Sequence, residues 1–137
     1  EGTFTLKIGD YILKEPDYRI VVALDNYRCG NMFNYFKKAN VLIHESTYVI
    51  LPEMTYKEKA EIYQTAVDHG HSTNQMAGGV ASSLNCDKLI LTHFSNRYGF
   101  DGNGKMKQEK EIIEGTREAP GFTGEIITAY DFQIIEL

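Results

Sequence analysis

Basic charge is scarce in this chain: 19 Asp and Glu face 14 Lys and Arg, for a formal net charge of -5. Proteins that grip nucleic acid through a broad surface usually do so with a basic face. Any basic surface for a large polyanion is therefore local here or lies on another polypeptide. The deficit does not exclude a nuclease, whose site can recruit cations to offset its carboxylates. Cysteine is equally sparse. Cys29 and Cys86 share no short ligand spacing and build no disulfide framework, so free thiols in a reducing compartment are expected. That expectation favours the cytoplasm, with nucleus or mitochondrion as alternatives. No stretch approaches the roughly 20 apolar residues of a membrane span, so no membrane partner is expected. The opening Glu1-Gly2-Thr3-Phe4 lacks a basic-then-apolar export signal. Internal repeats and low-complexity tracts are also missing. The chain starts with Glu directly on a strand-like alternation, as expected of a fragment or a processed product.

What is present suffices for one modest domain: 137 residues, 42% of them apolar, with Tyr and Phe well represented. Phe4, Leu6 and Ile8 alternate with polar residues before Gly9-Asp10, which predicts a hairpin toward Tyr11-Ile12-Leu13. Ile20-Val21-Val22-Ala23-Leu24 and Val41-Leu42-Ile43 are short, β-branched and apolar on both faces, as interior strands of a layered α/β fold are. A short helix is expected after Gly30-Asn31. A longer one is expected from Tyr56 to Val67, with Ala60, Ile62, Tyr63, Ala66 and Val67 at roughly helical spacing. Ser72 or Thr73 can cap a further helix toward Leu84, whose small residues Ala77, Gly78, Gly79 and Ala81 permit close packing. A strand from Lys88 to Thr92, a charged helix near Met106 to Gly115, and two closing strands, Glu125 to Thr128 and Phe132 to Ile135, complete one α/β unit over residues 1–137.

Four polar clusters carry the chemistry. Asp25 directly follows a buried strand, where a carboxylate is a hard ligand whose two oxygens can bridge two cations; Asp25-Asn26 could equally open a turn. In His44-Glu45-Ser46-Thr47, His44 reads as a structural histidine and Glu45 as a carboxylate that orients an imidazole. His69-Gly70-His71 does not begin a His-x-His-x-Asp-His metal motif, because Thr73 and Asn74 stand where Asp and His are required. His71 instead immediately precedes a helix start, which favours a proton donor or phosphate contact. His93 combines a strand end with the tail Ser95-Asn96-Arg97-Tyr98 and is the strongest ligand candidate. The planar Arg97 guanidinium suits a phosphate oxygen.

In chain order these clusters resemble the C-terminal half of tRNase Z (ribonuclease Z), the metallo-β-lactamase-fold endoribonuclease that matures tRNA 3′ ends. The family's Asp-Thr-x-x-Cys is similar to Asp25-Asn26-Tyr27-Arg28-Cys29, and its His-Glu-Ala-Thr to His44-Glu45-Ser46-Thr47. Its His-Ser-Thr matches His71-Ser72-Thr73, and its Thr-His-Phe-Ser-x-Arg-Tyr matches Thr92 through Tyr98. The resemblance implies that Asp25 bridges two zinc ions and His93 completes the second. It implies that His71, oriented by Glu45, protonates the leaving oxygen, and that Arg97 with Ser95 holds the scissile phosphate. Asn26 stands in place of the family's Thr, and Asn74 in place of a common Pro; both are expected to be tolerated. The His-x-His-x-Asp-His motif and the following ligand histidine belong to the family's N-terminal half and do not occur here.

The resemblance predicts half of a four-layer αββα sandwich: a mixed sheet with helices on its outer face. An isolated half leaves the sheet's inner face open, and soluble proteins rarely tolerate so large an apolar patch. A partner is therefore expected, whether a missing N-terminal half, a second chain or a homodimer, with precursor tRNA as substrate. Another phosphodiesterase or arylsulfatase-like hydrolase of the same fold, or a non-catalytic scaffold half, is the alternative.

Overall fold

The computed structural model describes residues 18–26, 38–118 and 121–137. The hairpin expected over residues 4–13, the short helix after Gly30 and Cys29 lie outside them. Four strands, β1 (Ile20–Ala23), β2 (Val41–Glu45), β3 (Lys88–Thr92) and β4 (Glu125–Thr128), form one sheet in the order β1-β2-β3-β4. All described pairings are parallel. The antiparallel pairing that a mixed sheet requires is not found in this sheet among the described residues. Parallel neighbours need crossovers: α1 (Tyr56–Asp68) and α2 (Asn74–Ser83) join β2 to β3, and α3 (Glu109–Arg117) joins β3 to β4.

The register sets the two faces. Val21, Leu42, Leu89 and Ile126 form one cross-strand row, and Ala23, His44, Leu91 and Thr128 the next. All eight are buried, and α2 covers the β2 and β3 members of these rows while α3 covers β4. The small side of α2, Ala77, Gly78 and Ala81, is buried toward β2 and β3, while α3 leans on α2 and β4. Leu42, Ile50, Leu84, Leu89, Leu91 and Ile112 are the largest apolar side chains fully removed from water among the described residues, each worth about 1.5–3 kcal/mol relative to exposure. The opposite face is covered unevenly. Val22 is 58% exposed, and Ile20 and Leu24 are also open, whereas Ile90 is buried. The apolar inner face expected of an unpartnered half is thus present along β1.

Two expectations are corrected. Residues 132–135 form no strand: Gln133 N–H bonds to Tyr130 C=O across a turn, with Phe132 at φ +63. That left-handed backbone leaves extended geometry, and Phe132 and Ile134 point into solvent. The last helix begins at Glu109, because Met106 is held in a bridge to Phe100 instead. The helix over residues 56–68 does form, capped reciprocally by Thr55 and Glu58. It is peripheral, with only Ala66 of its apolar set fully buried.

One polar bracket ties the layers together. The Asn74 side chain, fully buried, donates from Nδ2 to Ile50 O (3.0 Å), Ile112 O (3.2 Å) and Thr116 Oγ1 (3.2 Å). Its Oδ1 accepts from Ile50 N–H at 2.8 Å. Gly115 sits against the same bracket, and a Cβ there would meet Ile50 O at 2.2 Å.

Candidate metal and phosphate site

Three loops leave the carboxyl ends of β1, β2 and β3 along one rim, the usual place for a site in a parallel sheet. A fourth, between α1 and α2, is drawn to the same rim. Gly70 (φ +73) ends α1 in a Schellman motif: its N–H bonds to Val67 O, and His71 N–H to Ala66 O. Two residues later Thr73 caps α2 through Met76 N–H at 3.1 Å. His71 is thus clamped between two helix ends. Tyr48 N–H bonds to Ser72 O and Asn74 N–H to Tyr48 O, laying the loop after β2 alongside the His71-Ser72-Thr73 turn. The β2 and β3 loops run together through Ser46 N–H to Thr92 O and Ser95 N–H to Thr47 O.

These constraints bring Asp25, His71 and His93 together, with one ligand-capable atom from each lying within 4.8 Å of the others. Asp25 Oδ1 is 3.4 Å from His93 Nε2 and 3.8 Å from His71 Nδ1. Two atoms bound to one tetrahedral zinc at about 2.0–2.1 Å stand roughly 3.3–3.4 Å apart, so the Asp25–His93 pair has the spacing of one ligand edge. A carboxylate and imidazoles are also the right donor set for a divalent transition metal. Asp25 and His93 both have left-handed backbone, at φ 48 and 58. Such conformations cost non-glycine residues about 1–3 kcal/mol and cluster at functional sites.

Glu45 lies beneath this trio, fully buried. Its Oε1 accepts from Asn26 N–H at 2.7 Å and lies 3.2 Å from His71 Nδ1. Its Oε2 accepts from Thr47 Oγ1 at 2.5 Å and Thr47 N–H at 3.2 Å. Burial pushes the Glu45 carboxyl up, but donation from the Thr47 hydroxyl and the Ser72, Asn26 and Thr47 amides outweighs it, and the balance is a lowered pKa. The Ser72 hydroxyl bonds to Asn26 O, fixing the residue after Asp25. His44, adjacent in sequence, is elsewhere in role: it is buried under the sheet with Nδ1 2.7 Å from Glu45 O. Burial lowers its pKa, so it is a neutral structural histidine, as the sequence reading holds.

Arg97 is exposed at the rim, its Nε donating to Ser95 Oγ at 3.0 Å and its guanidinium 4.7 Å above the Tyr48 ring. Tyr98 faces inward, its hydroxyl accepting from Val49 N–H at 2.8 Å. Asp25, Glu45, His71 and His93 therefore meet at one point, with Ser95 and Arg97 on the loop that His93 begins. The sequence reading assigned no role to Thr47 or Tyr48. Thr47 sits two residues past Glu45 and contacts three of the site's side chains, and Tyr48 carries the Arg97 stack.

A sheet with helices packed on one face and polar loops at the ends of its strands is also what half of the metallo-β-lactamase fold presents. A metallo-β-lactamase fold protein of Bacillus subtilis superposes with a TM-score of 0.54 at 18% identity, over 83% of this chain and 38% of that one. No protein-family model matches the chain. In sequence it is similar to ribonuclease Z: to that of Prochlorococcus marinus at 35% identity over 111 residues, 78% of this chain, and to that of Archaeoglobus fulgidus at 34% over 109 residues, 80% of it. The ribonuclease Z of Bacillus thuringiensis is 32% identical over 121 residues, 87% of the chain. The matches span only about a third of these relatives, 32% to 36% of their lengths.

Proposed function

We propose that this chain is the C-terminal half of a zinc-dependent endoribonuclease that cleaves precursor tRNA at its 3′ end. A complementing N-terminal segment or partner chain, in a homodimer, would supply the remaining metal ligands. The convergence of Asp25, His71 and His93 above a buried Glu45 supports this reading best. Asp25 would bridge two ions and His93 would ligate the second. Such ions, when bound, activate water and neutralise phosphate charge. Glu45 orients His71 through Nδ1 (3.2 Å), so that His71 protonates the departing oxygen. Arg97, steadied by Ser95 and Tyr48, holds the scissile phosphate. The open face along β1 is where the complementing sheet would pack, and a reducing cytoplasm is the compartment that free thiols suit.

The test pairs cleavage with metal content in the complemented protein. Asp25→Ala and His93→Ala should lose zinc and activity together. His71→Ala should keep zinc and lose roughly 10²–10⁴-fold in single-turnover rate. The chain by itself should leave precursor tRNA intact, because catalytic zinc takes about three protein ligands. Cleavage of a simple phosphodiester without cleavage of precursor tRNA would reassign the protein to another hydrolase of the fold. Zinc loss in His71→Ala would make that residue a ligand.

A further inference from the structure

Thr47 stands at the centre of the site without a role in the reading above. Its Oγ1 lies 2.5 Å from Glu45 Oε2, 2.9 Å from His93 Nδ1 and 3.3 Å from His71 Nδ1. A hydroxyl has one proton to give and two lone pairs to accept with. Which contact takes the proton follows from Glu45, whose other near neighbours are the amide N–H groups of Asn26 and Thr47. A carboxyl surrounded by donors acts as an acceptor, so the Thr47 proton goes to Oε2, along the shortest of the three contacts. Only lone pairs then remain on Oγ1 for the imidazoles. His93 must present Nδ1–H to it, which leaves the lone pair on Nε2, 3.4 Å from Asp25 Oδ1. Nε2 is thereby left as a donor for a cation held beside the Asp25 carboxylate. His71 meets the same condition, its Nδ1–H shared between Glu45 Oε1 and Thr47 Oγ1.

We propose that Thr47 is a positioning residue that fixes the His93 tautomer, turning Nε2 into a metal-facing donor, and couples the orientation of His93 to that of His71 through Glu45. The proposal rests on the metal-site reading for its purpose but not for its geometry. A backbone contact supports it: Ser95 N–H bonds to Thr47 O at 3.3 Å, so the residue that holds the His93 ring also holds the backbone two residues beyond it. Partners of this kind, which orient a ligand imidazole, typically change metal affinity by about 10–100-fold when removed.

The experiment uses Thr47→Val, which keeps the shape and removes the hydroxyl, beside Thr47→Ser, which keeps the hydroxyl. Long-range proton–nitrogen spectra of ¹⁵N-histidine protein, metal-free and at a pH where the imidazoles are neutral, read the tautomer directly. His93 should carry its proton on Nδ1 in the parent and in Thr47→Ser. It should shift toward the Nε2–H form, which a free imidazole favours, in Thr47→Val. In the complemented protein, zinc affinity measured against a competing chelator should fall about 10–100-fold in Thr47→Val and recover to within about threefold of the parent in Thr47→Ser. An Nε2–H tautomer of His93 in the parent would overturn the proposal, as would a Thr47→Val variant with parental tautomer and affinity. If the parent binds no zinc at all, the metal-site reading fails while the tautomer measurement still decides the role of Thr47.

Discussion

Truncating Asn74 to Ala should destabilise the fold by about 3 kcal/mol, a magnitude that follows from what the side chain leaves behind. Ile50 N–H, now bonded at 2.8 Å, and Ile50 C=O, bonded at 3.0 Å, would lose the Asn74 side chain as partner in a buried segment. Each stranded group costs about 1–3 kcal/mol. Ile112 C=O loses least, since Thr116 Oγ1 still donates to it at 2.6 Å. Two such groups together cost about 2–6 kcal/mol, and a water entering the vacated space would recover part of the loss, which places the sum in the lower half of that range. With a urea slope of about 1.5 kcal/mol per molar, within the usual span for small domains, the unfolding midpoint should drop by about 2 M. Asn74→Asp is the sharper control. It keeps an oxygen for Ile50 N–H but turns a carboxylate oxygen toward the two carbonyls, so it should cost at least as much despite near-identical shape. Unfolding followed by circular dichroism gives both values. A loss under about 1 kcal/mol for Asn74→Ala, or a benign Asn74→Asp, would refute the claim that this bracket holds α2, α3 and the loop after β2 together.

Gly115→Ala should destabilise by about 1–3 kcal/mol through overpacking, because its Cβ would stand 2.2 Å from a backbone oxygen that cannot swing away; the same urea titration checks it. Stability should fall on acidification in two stages. His44 has a lowered pKa in the folded state, so from the ordinary 6.5 downward the unfolded chain binds the extra proton, and stability is lost until pH passes the folded value. Glu45, also lowered, adds its loss from about 4.5 downward and through its folded value. Glu45→Gln should flatten the second stage of a stability-versus-pH curve and deepen the first, because the Glu45 charge holds the His44 pKa up. Cys86, buried with its thiol pushed up to about 11, should resist alkylation at pH 8 while folded and react promptly in urea, as mass spectrometry would show.

The strands after residue 40 were legible because each is a compact apolar run closed by a polar residue, and β3 and β4 fall where those runs do. Ser72 and Thr73 together announced the start of α2 for the same local reason, a hydroxyl before an apolar stretch having a capping job, and the structure gives the cap to Thr73. Burial was harder to read. The spacing of Ala60, Ile62, Tyr63 and Val67 is helical, yet α1 lies on the periphery, since periodicity says which residues share a side and not what covers it. Asn74 shows the opposite failure. Beside the resemblance it looked like a tolerated replacement, and only the packed structure shows four bonds converging on it. Thr47 was invisible as a hub because two of its partners, His71 and His93, are 24 and 46 residues away.

Those separations bear on how the protein reaches its native state. Every strand pairing described is parallel and bridged by a crossover, so the rim cannot assemble from neighbouring residues. Loops must close and the strands must settle into register before Asp25, His71 and His93 face one another, and non-local closure of this kind is slow. Metal capture should accordingly appear as a late kinetic event that locks a completed sheet, and metal added early to a refolding reaction should not accelerate it.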